Sequence, residues 1–327
     1  MSDAKKTALL FPGQGSQEKG MGRAIAEADA EAMELWVKAE KISGAELRAV
    51  YWEGEEADMA QTRWLQPALT VVNLSVFLGL AGRVAPLCAA GHSLGEFAAL
   101  AASRALSIDA VLTLVSLRGR LMSEAGDGTG AMAALLKVDQ SGAEELVAAA
   151  RESTGKELRI ANYNTPAQFV ISGHRDAVEA ASALAKERKA RAVPLAVSGA
   201  FHSPLMAEAA AEFEKALAKI DVRDAAFPLV MNATGAPVQA AAEIRACVAR
   251  QMTSSVFWTQ GVRAMWELGA RSFVECGPKG VLTRMLSPIL DPIVTAVAGE
   301  TPYTSGFCAD PEQIETRIAE ISDGGEA

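Results

Sequence analysis

The sequence predicts an α/β protein: a large α/β-hydrolase-like domain with a parallel sheet, carrying an inserted ferredoxin-like small subdomain. Three observations predict it. Gly91-His92-Ser93-Leu94-Gly95 reads Gly-x-Ser-x-Gly between a small apolar run and a helix-forming run, the strand–turn–helix context of a nucleophile elbow. Short apolar runs alternate with amphipathic stretches on both sides of the middle of the chain. Between them, about 70 residues read β-α-β-β-α-β, the split unit of ferredoxin-like folds. The 327 residues, 50% of them apolar, suffice for one large core or two unequal ones.

Taken in order, residues 7–11 form a short apolar strand stopped by Pro12-Gly13. Residues 24–42, rich in Ala and Glu, read as a helix, and residues 67–80 as another. The run 84–90 is the strand before Ser93, and residues 96–102 the helix after it. Residues 108–122 continue as helix, with Leu114, Leu117 and Leu121 on one side. Ser107 suits its cap, and Asp109 its first turn, where a carboxylate meets the positive end of the dipole. The glycine-rich stretch 126–130 marks a boundary. Beyond it come strand 131–136, helix 141–153, strands 158–163 and 168–173 around Asn164-Thr165-Pro166, helix 176–188 and strand 190–195. Residues 229–232 and 272–276 return as buried strands of the larger body. The large catalytic domain is therefore assigned to 1–127 and 199–300, and the ferredoxin-like subdomain to 128–198. Residues 301–327 are set apart as a C-terminal tail of unknown role, ending in a short acidic helix.

Charge and composition narrow the function. A net charge of −9 without a basic run argues against nucleic acid as a partner. The first seven residues lack the apolar core of a signal peptide, and apolar segments such as 69–80 are too short to span a bilayer. Cys88, Cys247, Cys276 and Cys308 are scattered, with neither a CxxC pair nor metal spacing. They read as free thiols of a cytoplasmic protein, and no metal site is expected.

A serine hydroxyl is a weak nucleophile and needs a base within hydrogen-bond reach. His92 sits inside the elbow, where the turn should aim its ring away from the hydroxyl, and His174 reads as an exposed loop residue. By elimination, His202 becomes the candidate base, at the junction where the small subdomain returns the chain to the large one. An incidental loop histidine remains the alternative at this point. Arg118, on the residues alone, reads as a solvated cation near the end of a helix.

The residues carry a resemblance to a known family. The blocks Leu10-Phe11-Pro12-Gly13-Gln14-Gly15-Ser16-Gln17, Gln66-Pro67-Ala68, Gly91-His92-Ser93-Leu94-Gly95-Glu96, Arg118-Gly119-Arg120, Asn162-Tyr163-Asn164, Gly199-Ala200-Phe201-His202-Ser203-Pro204 and Glu275-Cys276-Gly277-Pro278 occur in this order over about residues 7–290. In them the chain resembles the malonyl-CoA:acyl carrier protein transacylases of bacterial fatty acid synthesis and the acyltransferase domains of polyketide synthases. The resemblance implies that Ser93 attacks the malonyl thioester, with His202 as its base and later the acid for the departing thiolate. It implies a backbone carbonyl at Gln251 orienting the imidazole, and an oxyanion hole from the Gln14 and Leu94 N–H groups. Arg118 would hold the malonyl carboxylate with its two-pronged guanidinium, and Phe201 would favour malonyl over a branched acyl group.

The implied partners are malonyl-CoA and an acyl carrier protein, with no nucleic acid, no membrane and no bound cofactor, since coenzyme A enters and leaves as substrate. A monomer is expected. Carrier proteins of this kind are typically acidic, so Lys186, Arg188, Lys189, Arg191, Lys279 and Arg284 are candidates for docking. Phe97 stands where many relatives carry Tyr, and Lys279-Gly280 reverses the usual order. Rival readings are a trans-acting polyketide acyltransferase, an editing hydrolase with no need of Arg118, and a catalytically silent binding subunit.

Overall fold

The computed structural model describes residues 6–126, 128–197, 199–296 and 302–323. Asp127, Ser198 and Thr301, at the expected domain boundaries, lie outside the described residues, as do residues 1–5 of the amino-terminal stretch.

Five consecutive buried residues form β1 (Thr7–Phe11). Where composition predicts one helix over 24–42, the chain forms two, α1 (Arg23–Ala28) and α2 (Ala30–Ser43). Asp29 between them is extended, and its carboxylate accepts the N–H groups of Glu31 and Ala32 at 2.7 and 3.0 Å. An aspartate that caps the next helix competes with continuing the last one. After α3 (Glu56–Met59) come α4 (Thr62–Leu80), β2 (Pro86–Gly91), α5 (Gly95–Ala102) and α6 (Ile108–Glu124), with Ser107 capping α6. All eight residues of α5 are buried, as a helix that is apolar but for Glu96 requires.

The small subdomain follows as β3 (Gly130–Leu136), α7 (Gln140–Thr154), β4 (Leu158–Thr165), β5 (Gln168–His174), α8 (Arg175–Glu187) and β6 (Arg191–Pro194). Its antiparallel sheet has the order β4-β5-β3-β6, the ferredoxin-like arrangement that the element order predicts. His174, read as a loop residue, instead ends β5 and is half-buried.

The chain then returns through α9 (Ala207–Leu217), β7 (Leu229–Val230), β8 (Pro237–Val238), α10 (Ala241–Arg250), α11 (Trp258–Glu267), β9 (Ser272–Cys276) and α12 (Thr283–Ala296). The segment set apart as a tail carries β10 (Thr304–Cys308) and α13 (Pro311–Asp323). β10 pairs in parallel with β9, and Ile314 of α13 packs against Gly79 of α4. A five-residue strand containing a glycine leaves little periodic signal, which is why it was not legible.

The main sheet has the order β10-β9-β1-β2-β7-β8, parallel except for β8. Phe11 lies opposite Gly91 in its register. The loop after β1 and the elbow after β2 therefore leave side by side at the carboxyl edge, where open parallel sheets place their sites. No helix among the described residues is long and apolar enough to cross a membrane.

Candidate active site

Two glycines make the elbow possible. A Cβ on Gly91 would lie 1.9 Å from the Gly95 carbonyl carbon, and one on Gly95 would lie 1.9 Å from the Phe11 carbonyl oxygen. Between them Ser93 adopts φ 50°, a left-handed conformation that costs about 1–3 kcal/mol unless its surroundings hold it. Asn232, just after β7, does so. It accepts the Ser93 N–H at 2.7 Å and donates to the Gly91 carbonyl at 2.6 Å, while its own N–H is held by Glu96 Oε2 at 2.8 Å.

His202, buried and also left-handed at φ 57°, brings Nε2 to 2.7 Å from Ser93 Oγ. Its Nδ1 meets two carbonyls, Gln251 O at 3.0 Å and Ser254 O at 3.1 Å. Carbonyls only accept, so Nδ1 carries the proton and Nε2 is free to accept the serine's. Burial, and next the charge of Arg118, push the His202 pKa down to about 3, against the pull of the Gln251 carbonyl. The imidazole is thus a neutral base at pH 7. His92 does not compete: its Nε2 pairs with Asn164 Oδ1 at 2.8 Å and its ring meets Trp258 edge-on.

Arg118 on α6 is 1% exposed. Nη1 donates to Gln66 Oε1 at 2.7 Å, Nε to Gln251 Oε1 at 3.2 Å and Nη2 to Ser93 Oγ at 3.1 Å. Its guanidinium also stands 5.6 Å from the centre of the Phe97 ring, so Phe97 offers a π-face. Burial lowers the Arg118 pKa to about 10, partly offset by the charge of Glu96, and leaves it a cation. All three acceptors are neutral. A buried cation with no ion pair among the described residues is chemically suited to accept an anion.

The loop after β1 completes the site. Gly13 comes so close that a Cβ there would lie 2.4 Å from the His92 carbonyl oxygen and 3.5 Å from the Leu94 nitrogen. Among the described residues, neither the Gln14 nor the Leu94 N–H finds a backbone or side-chain acceptor. Two free donors beside the serine suit a developing oxyanion. A cavity of about 250 Å³, walled by both subdomains, contains Ser93, His202 and Arg118, with Phe201, Met132 and Val170 among its apolar walls. Of the basic residues considered for docking, Arg188 is paired with Glu145 at 2.8 Å and Arg284 donates to the Lys279 carbonyl. Lys279 is left-handed (φ 67°), and a Cβ on Gly280 would meet the Phe307 ring at 2.6 Å.

The seven residues singled out from the sequence thus all reach this edge of the sheet. Asn232, Ser254 and Glu96 take part as well and were not assigned. Gln66 and Asn164 lay in the quoted blocks without a role, and no local pattern marks Asn232 or Ser254.

Residues 8–301 match the acyl transferase domain family. The chain belongs to that family. It is 35% identical to the malonyl CoA-acyl carrier protein transacylase of Bacillus subtilis (strain 168), over 97% of this chain and 98% of the relative. Among acyl transferase domains of known structure, the malonyl CoA-acyl carrier protein transacylase of Coxiella burnetii superposes with a TM-score of 0.90 at 30% identity, covering 98% of this chain and 99% of the other. A malonyl-transacylase in complex with its type II polyketide synthase acyl-carrier protein gives 0.88 at 32% identity, covering 96% and 99%.

Proposed function

We propose that this acyl transferase moves a malonyl group from malonyl-CoA to the phosphopantetheine thiol of an acyl carrier protein through a malonyl-serine. The observation that carries this reading is Arg118, a buried cation with neutral partners 3.1 Å from Ser93 Oγ. His202 Nε2 takes the Ser93 proton as Oγ attacks the thioester carbonyl. The oxyanion rests on the N–H groups of Gln14 and Leu94, each such donor being worth about 3 kcal/mol. Collapse breaks the C–S bond, and His202 returns its proton to the coenzyme A thiolate. The carrier thiol then gives a proton to His202, attacks the malonyl-serine and leaves as the new thioester, restoring the Ser93 hydroxyl. The Gln251 carbonyl holds the tautomer throughout, and Phe201 walls the acyl pocket.

The names of the relatives, and the complex of one of them with its acyl-carrier protein, support the donor and the acceptor. A hydrolase of the same chemistry has no use for a buried cation in its acyl pocket, which favours the transferase. The reading keeps the division into a catalytic domain (1–127, 199–300) and a small subdomain (128–198). It describes a cytoplasmic monomer that needs no metal or bound cofactor. The test mixes the protein with labelled malonyl-CoA. The expected result is label on Ser93, lost in S93A, that passes to carrier protein faster than to water. Label released to water regardless of carrier would identify a hydrolase, and no label would leave a binding subunit.

A further inference from the structure

We propose that Arg159 and Ser255, which lie outside the cavity, are positioning residues for the base His202. Both acceptors of His202 Nδ1 sit on irregular backbone: Gln251 in a 3₁₀ turn (Gln251–Thr253) after α10, and Ser254 in the extended segment before α11. The Gln251 carbonyl accepts a long turn bond from the Ser254 N–H at 3.3 Å, whereas the Ser254 carbonyl lies beyond the turn, where no helical ladder fixes its direction. Here β4 of the small subdomain fixes it instead. Arg159 Nη1 donates to the Thr253 carbonyl at 2.8 Å, and Nη2 to Ser255 Oγ at 3.3 Å. The buried Ser255 hydroxyl donates onward to the Ile160 carbonyl at 2.7 Å. The Val256 N–H reaches the Ala161 carbonyl at 2.7 Å, and the Tyr163 N–H reaches the Val256 carbonyl at 2.9 Å.

Ser254 is thereby held between two tethered neighbours, and its carbonyl is aimed at the imidazole. The small subdomain does more than wall the pocket: its edge strand splints the loop that orients the base. Arg159 touches neither the cavity nor Ser93, so it acts only through this splint.

The proposal rests on the reading of Ser93 and His202 as nucleophile and base, and single-turnover acylation by malonyl-CoA tests it. In R159A and S255A the saturating acylation rate should fall about tenfold to a hundredfold, the range for a misplaced catalytic group. The half-saturating concentration should stay within about twofold, because the splint bonds Thr253, Ser255 and Val256 and not the Gln251 side chain that accepts from Arg118. Added guanidinium should restore part of the R159A rate. Wild-type rates, or a loss that guanidinium does not relieve and that equally weakens malonyl-CoA binding, would overturn it. A readout free of substrate keeps the two proposals apart: the Nδ1 proton of His202 should exchange with water faster in R159A and S255A than in wild type. Unchanged exchange refutes the splint. Unmodified Ser93 in the wild type refutes the transferase reading instead.

Discussion

Arg118 has given up its hydration for three neutral oxygens and the face of a ring, with the charge of Glu96 as a partial offset, an arrangement that suits an incoming anion. Replacing it with Gln should lower kcat/KM for malonyl-CoA by about 10²–10⁴-fold, the equivalent of breaking a buried pair worth about 3–5 kcal/mol. Acetyl-CoA, which has no carboxylate to place, should lose far less, and competition between the two donors measures the difference. Arg118 also sets the pH response. His202 is held down to about 3, first by burial and then by this charge. Ser93 acylation should therefore show no loss from base protonation as pH falls from 8 to about 5. In R118Q the second cause disappears and the acid limb should move upward, as acetyl-CoA acylation followed against pH would reveal. For stability the sign agrees: a histidine buried neutral contributes fully above its ordinary 6.5 and progressively less as pH falls towards 3. Ser93 was legible from its Gly-x-Ser-x-Gly turn, whereas His202 emerged only by elimination and Arg118 only through the family resemblance, since a lone histidine or a helix-end arginine has no pattern of its own. Asn232 was not legible, since it acts across the fold from an unremarkable strand end. Ser254 contributes only a carbonyl, which every residue possesses.

At the scale of elements, the placing of Arg118 depends on how closely α6 approaches α4. Pro67 has no N–H for the Arg63 carbonyl, and Gly119 passes so near that a Cβ would lie 2.9 Å from that oxygen. G119A should therefore push α6 outward, loosen Arg118 from Gln66 and raise KM for malonyl-CoA more than it lowers kcat. Steady-state kinetics together with thermal melting would register both parts. At Asp29 the expectation is the reverse: D29A removes the cap of α2 and should cost about 1 kcal/mol of stability, leaving kinetics alone. Long elements with a clear period, such as α4, α6 and the strands of the small subdomain, could be read from the sequence. The break at Asp29 could not, because a helix-rich composition hides a single residue that prefers to cap. β8 has only two residues, and β10 is polar or small at Thr304, Ser305 and Gly306, so neither carries an apolar run, and pairing with neighbours is what makes them strands.

For the whole molecule, the net charge of −9 would repel an acidic carrier protein unless local cations guide it. Arg191 opens β6, an edge strand that leads to Leu195 and Val197 at the cavity. Reversing the charges of Lys189 and Arg191 should raise KM for carrier protein and flatten its salt dependence, with KM for malonyl-CoA unchanged. An unaltered carrier KM would exclude this surface. The position of β1 has a different consequence, for the chain as it is made. Thr7 stands opposite both Pro86 and Ser272, so one neighbour of β1 emerges from the ribosome early and the other only after the small subdomain and the base. At about 5–20 residues per second, the growing polypeptide spends many seconds with its elbow on half a sheet and the Gln14 loop on an open edge. Until β9 docks, β1 has only β2 beside it, so the sheet edge that carries the Gln14 loop and the elbow is completed late in synthesis.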